Sequence, residues 1–464
     1  MKLLGGPRRG NGKALHSLHT GLIRQTIAHS IPHLHRLSPT QEGHLQRILS
    51  RSLRICLGVP RTVRTALVLA EAREPPIQVL RKQETERHLI RLLTRHTAHP
   101  LIQKIHRRHK SPIYGALAYI ERCLPKRMVH SHHQVIAPWL LSPPPTHTEI
   151  PRIWKKGQTP CLALKTLSMA HLEQQFPDST HIYTDGSSAN GRSSSAFTVK
   201  NFTKGYRLSH ATTSTAAELH AILKALRHID GSPAQKWVLC TDSKAALATI
   251  IKQDTDDQMV YHIYKAYTSA VGRGHTISLQ WIPSHCGIPG NEVADQTAKD
   301  ALGKTKLSAI HFTKSDAKTF LHKSTIRRSK ESWKQALRHT DFLSHIDPDL
   351  TAIIPHDIGR SLHMAIHRIR LGALYTATTQ FQLGIVAPRL CDICKVPQDT
   401  LHVLIQCPEP ADARERLSHA LQTLDKRPFS YCKVMGRWPT REQDMKALKA
   451  LCVYLKESGI HCRY

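Results

Sequence analysis

Apolar positions recur at helical spacing from Leu45 through Ile48, Leu49, Leu53 and Cys56, and Gly58 with Pro60 ends that run. A second helical stretch is predicted over residues 78–94, after the Pro75-Pro76 break. Beyond residue 180 the pattern changes. His181-Ile182-Tyr183-Thr184-Asp185-Gly186-Ser187 is rich in strand formers and ends in turn formers, and shorter strand candidates follow at 194–200 and 205–211. Ala216 to His228 reads as a helix, Trp237 to Thr241 as a compact apolar strand, and Asp242-Ser243 as the start of a helix through Ile250. A helix near 257–269, a strand from Thr276 to Trp281 and a last helix introduced by Gly290 and Asn291 complete the series. The order βββαβαβα implies an α/β layer architecture, with helices against a mixed sheet.

Five segments follow from this pattern. Residues 1–40 show no sustained period and are expected to be disordered or a truncated remnant. Residues 41–125 form a basic helical region, and 126–177 a connector with Leu141-Ser142-Pro143-Pro144-Pro145 in its middle and a short helix at 159–175. The α/β module occupies 178–302. Residues 303–464 read as helical, with Ile354 to Leu374 and Ala411 to Leu424 as the clearest stretches.

Charge adds a class of partner. Lys and Arg total 66 against 34 acidic residues, a formal +32 that favours a polyanion, nucleic acid first and an anionic membrane surface second. The excess is uneven: residues 1–110 hold 21 Lys/Arg against 5 Glu and no Asp, while 181–300 hold 12 against 8 Asp and 2 Glu. Nucleic-acid grip is therefore expected mostly outside the central module. No run of 18 apolar residues and no secretory leader pattern is visible, so an intracellular chain without a membrane partner is expected, nucleus or cytoplasm being left open. Eleven scattered cysteines suit free thiols and one metal site better than a disulfide framework.

The acidic residues of the central module suggest chemistry. Asp185 and Asp242 each end a predicted strand, and strands about 4.8 Å apart can bring two such carboxylates to metal-site spacing. Unpaired, they would repel and raise each other's pKa, a cost that a bound cation removes. Glu218 and Asp295, on helices, can add oxygen ligands from the sides. Hard carboxylates suit Mg²⁺ or Mn²⁺. Two such ions about 3.5–4 Å apart would hydrolyse a phosphodiester. Taken singly, each residue reads equally as a turn, cap or exposed side chain, and spacing alone does not single out the four.

Four segments together are more specific. Tyr183-Thr184-Asp185-Gly186-Ser187, Ser214-Thr215-Ala216-Ala217-Glu218-Leu219, Cys240-Thr241-Asp242-Ser243 and Trp281-Ile282-Pro283-Ser284-His285-Cys286-Gly287-Ile288-Pro289-Gly290-Asn291-Glu292-Val293-Ala294-Asp295 resemble type 1 ribonuclease H domains of non-long-terminal-repeat retrotransposons. The resemblance implies a mixed five-stranded sheet with flanking helices. It also implies two Mg²⁺ ions on the four carboxylates, and cleavage of the RNA strand of an RNA–DNA hybrid to 5′-phosphate and 3′-hydroxyl ends. His285 would assist proton transfer or product departure, and Ser187, Ser243 and Asn291 are candidate nucleic-acid contacts that could equally cap helices. Cys286 departs from the small hydroxyl or similar residue common at that place, and the Lys/Arg-rich helical insertion of some members is missing.

The resemblance extends outward. Leu53-Arg54-Ile55-Cys56-Leu57-Gly58-Val59-Pro60 and Ala70-Glu71-Ala72-Arg73-Glu74-Pro75-Pro76 look like the region between reverse transcriptase and ribonuclease H in these polyproteins. The polymerase's paired-aspartate motif is not found, and Asp256-Asp257 lacks its hairpin setting. The chain thus resembles a C-terminal piece of such a polyprotein, and the resemblance allows a reverse transcriptase acting in trans as a partner. Downstream, Cys391, Cys394, His402 and Cys407 give C-x2-C-x7-H-x4-C, four ligands for one structural Zn²⁺, similar to the knuckle of the same elements. Packing without metal remains the alternative there. For the whole chain the alternative is an inactive nucleic-acid-binding remnant, with a structural or assembly role as a further rival.

Overall fold

The computed structural model describes residues 11–31, 37–95, 99–123, 143–153, 159–252, 258–310, 314–352, 354–355, 358–387 and 390–463. Leu141-Ser142 and the Asp256-Asp257 pair lie outside them. The chain divides into two compact units, residues 87–321 and a second assembled from 1–86 with 322–464.

The first unit is built on one sheet. Its strands are β1 (Thr146–His147), β2 (Thr180–Ala189), β3 (Arg192–Val199), β4 (Phe202–Leu208), β5 (Lys236–Thr241), β6 (Thr276–Trp281) and β7 (Leu307–Ser308), in the order β1-β6-β5-β2-β3-β4-β7. The five longer strands are the expected mixed sheet, and β1 and β7 extend its edges by two residues each. Strands β2, β5 and β6 run parallel, whereas β2-β3-β4 is an antiparallel meander. The turn between β2 and β3 is Asn190-Gly191, both at positive φ (50° and 73°), the backbone that a tight hairpin requires. Because the next turn falls at Lys200, β4 begins three residues before the stretch expected at 205–211.

Helices α1 (Cys161–Gln175), α2 (Ser214–Asp230), α3 (Lys244–Ile251), α4 (Gln258–Gly272), α5 (Pro289–Ala301) and α6 (Lys314–Ala336) follow the chain, α6 continuing beyond this unit. The apolar stripe of α2, including Leu219, Ile222 and Leu226, is buried with Ile182, Phe197, Val238 and Leu239 of the sheet. At roughly 1.5–3 kcal/mol for each fully buried large apolar side chain, this shared core fixes α2 over β2 and β3. A smaller cluster joins Leu89, Leu117 and Ile120 to Ala317 and Leu321 at the start of α6.

The second unit is helical. Its core takes Leu53 and Leu57 from helix Pro39–Leu57, Val68 from Thr65–Ala72, Ile366 and Ile369 from Arg360–Arg370, Leu421 from Ala411–Gln422 and Tyr454 from Arg441–Glu457. Residues from both terminal regions therefore close a single core. Gly58 ends the first helix in the left-handed conformation (φ 70°), as its place after the apolar run suggests. Helical segments Gly12–Leu18, His19–Arg24 and Gln25–Ser30 lie in the stretch that lacks a visible period, and Leu15 and Ala28 are buried there. At the centre Arg370 donates to both oxygens of Glu71 (2.8 and 3.1 Å) and to Asp347 (3.1 Å). Burial alone would raise the Glu71 carboxyl, but the Arg370 charge and the His367 hydrogen bond outweigh it and hold it at about 2.

Candidate metal and nucleic-acid site

Strand β2 pairs with β5 only as far as Thr184 opposite Thr241, while its pairing with β3 continues through Asp185 to Ala189. The parallel part of the sheet thus ends one residue before Asp185 and one residue before Asp242. A crevice outside the carboxyl ends of parallel strands is where such sheets take ligands. Asp185 lies inside a strand rather than at its end, because β3 supports β2 for five residues after β5 has left it, from Asp185 to Ala189.

Glu218 reaches the same crevice from the first turns of α2. That helix lies so close to β2 that a Cβ on Gly186 would stand 2.6 Å from the Glu218 amide nitrogen, so only glycine fits. One carboxylate oxygen each of Asp185, Glu218 and Asp242 lies within 4.8 Å of the others. Glu218 Oε2 is buried and has no hydrogen-bond partner. Burial, followed by repulsion from Asp242 and Asp295, pushes Asp185 up to about 7. Burial and then the Asp185 and Asp242 charges carry Glu218 well above the usual carboxylate range. Burial first, and like charge after it, both favour the protonated carboxyls here.

Asp295, on α5, belongs to an adjoining group with His285 and Glu292, whose ligand atoms also lie within 4.8 Å of one another. Its Oδ2 accepts from Lys299 Nζ at 2.6 Å and lies 3.9 Å from His285 Nδ1. The His285 side chain is 66 % exposed and its backbone takes φ 52°, uncommon for a residue with a Cβ. Glu292 Oε1 accepts from the Gly287 amide at 3.1 Å, which ties the histidine loop to α5. Sequence reasoning passed over Glu292, although a carboxylate three residues before Asp295 falls on the same helix face.

The proposed contacts fall out unequally. Ser187 and Ser243 are half-buried at the crevice, and Ser243 caps α3 by accepting from the Ala246 amide at 3.2 Å. Asn291 is 1 % exposed, inside the first turn of α5. A missed candidate is Lys244, exposed directly after Ser243, whose ammonium lies 4.0 Å from the Trp281 ring centroid. The Trp281 indole in turn donates to the Asp242 carbonyl at 3.2 Å, which ties this cation to the strand end that bears a carboxylate.

In the second unit the cysteine cluster also assembles. Cys391 Sγ and Cys394 Sγ lie 3.9 and 4.0 Å from Cys407 Sγ, and one ligand atom from each of these and His402 falls within 4.8 Å of the rest. Two thiolates on one tetrahedral Zn²⁺ stand about 3.8 Å apart, given a bond of about 2.3 Å. The Lys395 amide donates to the Cys391 carbonyl at 2.9 Å to close the knuckle, and Asp399 accepts from the His402 amide at 2.8 Å.

Residues 177–303 match the family model for RNase H. This segment is an RNase H-like domain. Among solved structures, the chain is similar to the RNase H1 of the halophilic archaeon Halobacterium salinarum NRC-1, at 21% identity over 26% of this chain and 96% of that one, with a TM-score of 0.23. The RNase H-like domain contains all of Asp185, Glu218, Asp242, His285, Glu292 and Asp295.

The raised Asp185 pKa gives a test without substrate. The metal-free folded form holds a proton on Asp185 that the unfolded chain releases near pH 3.8, so the Asp185 contribution to stability should be lost as pH rises from about 3.8 to about 7. Saturating Mg²⁺ should then raise the melting temperature more at pH 8 than at pH 5.5, and Asp185→Asn should melt several degrees higher than wild type without metal at pH 8. Equal Mg²⁺ shifts at both pH values in a calorimetric scan would contradict this.

Proposed function

We propose that this chain is a metal-dependent endonuclease that hydrolyses the RNA strand of RNA–DNA hybrids, with Mg²⁺ or Mn²⁺ held by Asp185, Glu218, Asp242 and Asp295. The ribonuclease H match assigns the reaction class. The observation that carries the metal reading is the trio of closely spaced carboxylates with an unpartnered buried oxygen on Glu218. Such a donor set, all oxygen and all anionic, fits a hard divalent cation.

Bound in this crevice, two divalent ions would supply an activated water and stabilise the leaving 3′ oxygen. The chain's own groups do the rest. Asp185, Glu218 and Asp242, fixed on β2, α2 and the end of β5, orient the site. His285, exposed beside Asp295, holds or moves a proton near the departing group. Lys244, Ser187 and Ser243 line the approach, where a cation and hydroxyls suit phosphate and 2′-hydroxyl contacts.

The motif order, the upstream segment at Leu53–Pro60 and the cysteine knuckle support descent from a retrotransposon polyprotein, with a reverse transcriptase acting in trans as partner. The knuckle, having four protein ligands and no open position, would hold Zn²⁺ structurally. Among the described residues no helix is long and apolar enough to cross a membrane.

Purified chain given labelled hybrid and Mg²⁺ should cut only the RNA strand. Asp185→Asn and Asp242→Asn should reduce cleavage to background with the fold retained, and His285→Ala should slow turnover on the order of 10²-fold. A folded wild-type protein inactive in both Mg²⁺ and Mn²⁺ would instead support the inactive-remnant reading. Elemental analysis should find one zinc per wild-type chain and almost none in Cys394→Ser. Wild-type protein purified without chelator and lacking zinc would remove the knuckle's metal.

A further inference from the structure

We infer that the described residues after the matched domain, 304–310 together with the first turns of α6, belong to the catalytic unit, with Asp316 a positioning residue for Glu218. The inference rests on the ribonuclease reading above and adds to it a part of the chain beyond residue 303.

Glu218 is the fifth residue of α2, so its place depends on how the chain enters that helix from β4 through residues 209–213. Two side chains clamp this loop. From within the sheet, Ser193 Oγ accepts from the Thr212 amide at 3.0 Å and donates to the Thr212 carbonyl at 3.3 Å. From α6, Asp316 Oδ1 accepts from the Thr212 hydroxyl at 2.5 Å and from the Thr213 amide at 3.0 Å. His210 Nε2 lies 3.9 Å from the other oxygen. Thr213 is itself the N-cap of α2, its hydroxyl accepting from the Ala216 amide at 3.2 Å.

Asp316 is 3 % exposed. A carboxylate is costly to bury unless strong hydrogen bonds meet it, and here they come from the loop backbone and hydroxyl at the positive end of α2. Its neighbours Ala317 and Leu321 are buried against Leu89 and Leu117, which anchors the carboxylate from behind.

The intervening chain straps down the same region. Strand β7 pairs with β4, and the Ser209 amide donates to the Ser308 carbonyl at 2.9 Å. Ser308 Oγ lies 3.2 Å from His220 Nε2, two residues after Glu218 on α2, while Ser195 Oγ lies 2.7 Å from His220 Nδ1. Tolerance at Glu218 is small because α2 is in contact with β2 at Gly186. Mg²⁺ demands near-ideal octahedral geometry, so a loosened first turn would weaken the metal site before it weakened substrate binding.

The test uses the full chain carrying Asp316→Ala, Asp316→Asn or Thr212→Val. It reads the Mg²⁺ concentration for half-maximal cleavage, kcat and KM for hybrid, and the Mn²⁺ midpoint of thermal stabilisation without substrate. Asp316→Ala should raise both metal midpoints and lower kcat by about 10-fold or more, the range typical of lost support to a metal ligand, with KM little changed. Asp316→Asn, which keeps an acceptor oxygen, should restore most of the loss, and Thr212→Val should shift the midpoints in the same direction but less. A folded Asp316→Ala protein with wild-type metal midpoints, even with a lower melting temperature, would overturn the inference. If that variant does not fold, Thr212→Val decides: a raised Mn²⁺ midpoint supports the inference and a wild-type one overturns it. Failure of the wild-type chain to cleave hybrid would count against the ribonuclease reading alone, because the Mn²⁺ midpoints are read without cleavage.

Discussion

Mutual repulsion among buried carboxylates is the constraint around which the first unit is organised. Asp185 and Glu218 are nearly inaccessible to water, and Asp242 presses on both. Each would prefer hydration or distance, so their juxtaposition must be imposed by the scaffold and relieved by protons or cations. The imposing parts are legible in the geometry. Parallel β2 and β5 bring two carboxylates to the same level, the absent Cβ at Gly186 lets α2 bring a third, and α5 presents Asp295 alongside. Proteins accept such strain mainly at functional sites.

The second unit has the opposite arrangement of charge. Glu71 and Asp347 have side chains as buried as those of Asp185 and Glu218, but Arg370 lies between them and satisfies both. Burial therefore leaves Glu71 ionised and Asp185 prone to protonation, and the difference is the presence of a fixed cation. One cluster is complete within the protein. In the other, burial and like charge raise the carboxyls instead.

The sequence made the site more legible than the architecture around it. The carboxylates, His285 and the cysteine-cluster residues stand in short local motifs, so they could be singled out without any knowledge of packing. Long-range relations did not: the pairing of helix Pro39–Leu57 with Arg360–Arg370 in one core joins segments some three hundred residues apart, and no local period encodes that. Asn291 reads in the sequence as a polar contact or a helix cap beside the motif that bears Asp295, whereas its burial is set by how α5 docks on the sheet. Lys244 and Asp316 were unremarkable charged residues in the sequence. Each is distinguished by a distant partner, the Trp281 ring for one and the Thr212 hydroxyl with the Thr213 amide for the other.

The most direct measurement is anomalous diffraction from crystals of the full chain soaked in Mn²⁺ with a non-cleavable RNA–DNA hybrid. The account predicts two Mn²⁺ peaks about 3.5–4 Å apart in the crevice beyond β2 and β5, ligated by oxygens of Asp185, Glu218, Asp242 and Asp295, with the RNA strand across them. Saturating Mn²⁺ that leaves this crevice empty, or hybrid bound away from these four carboxylates, would contradict it.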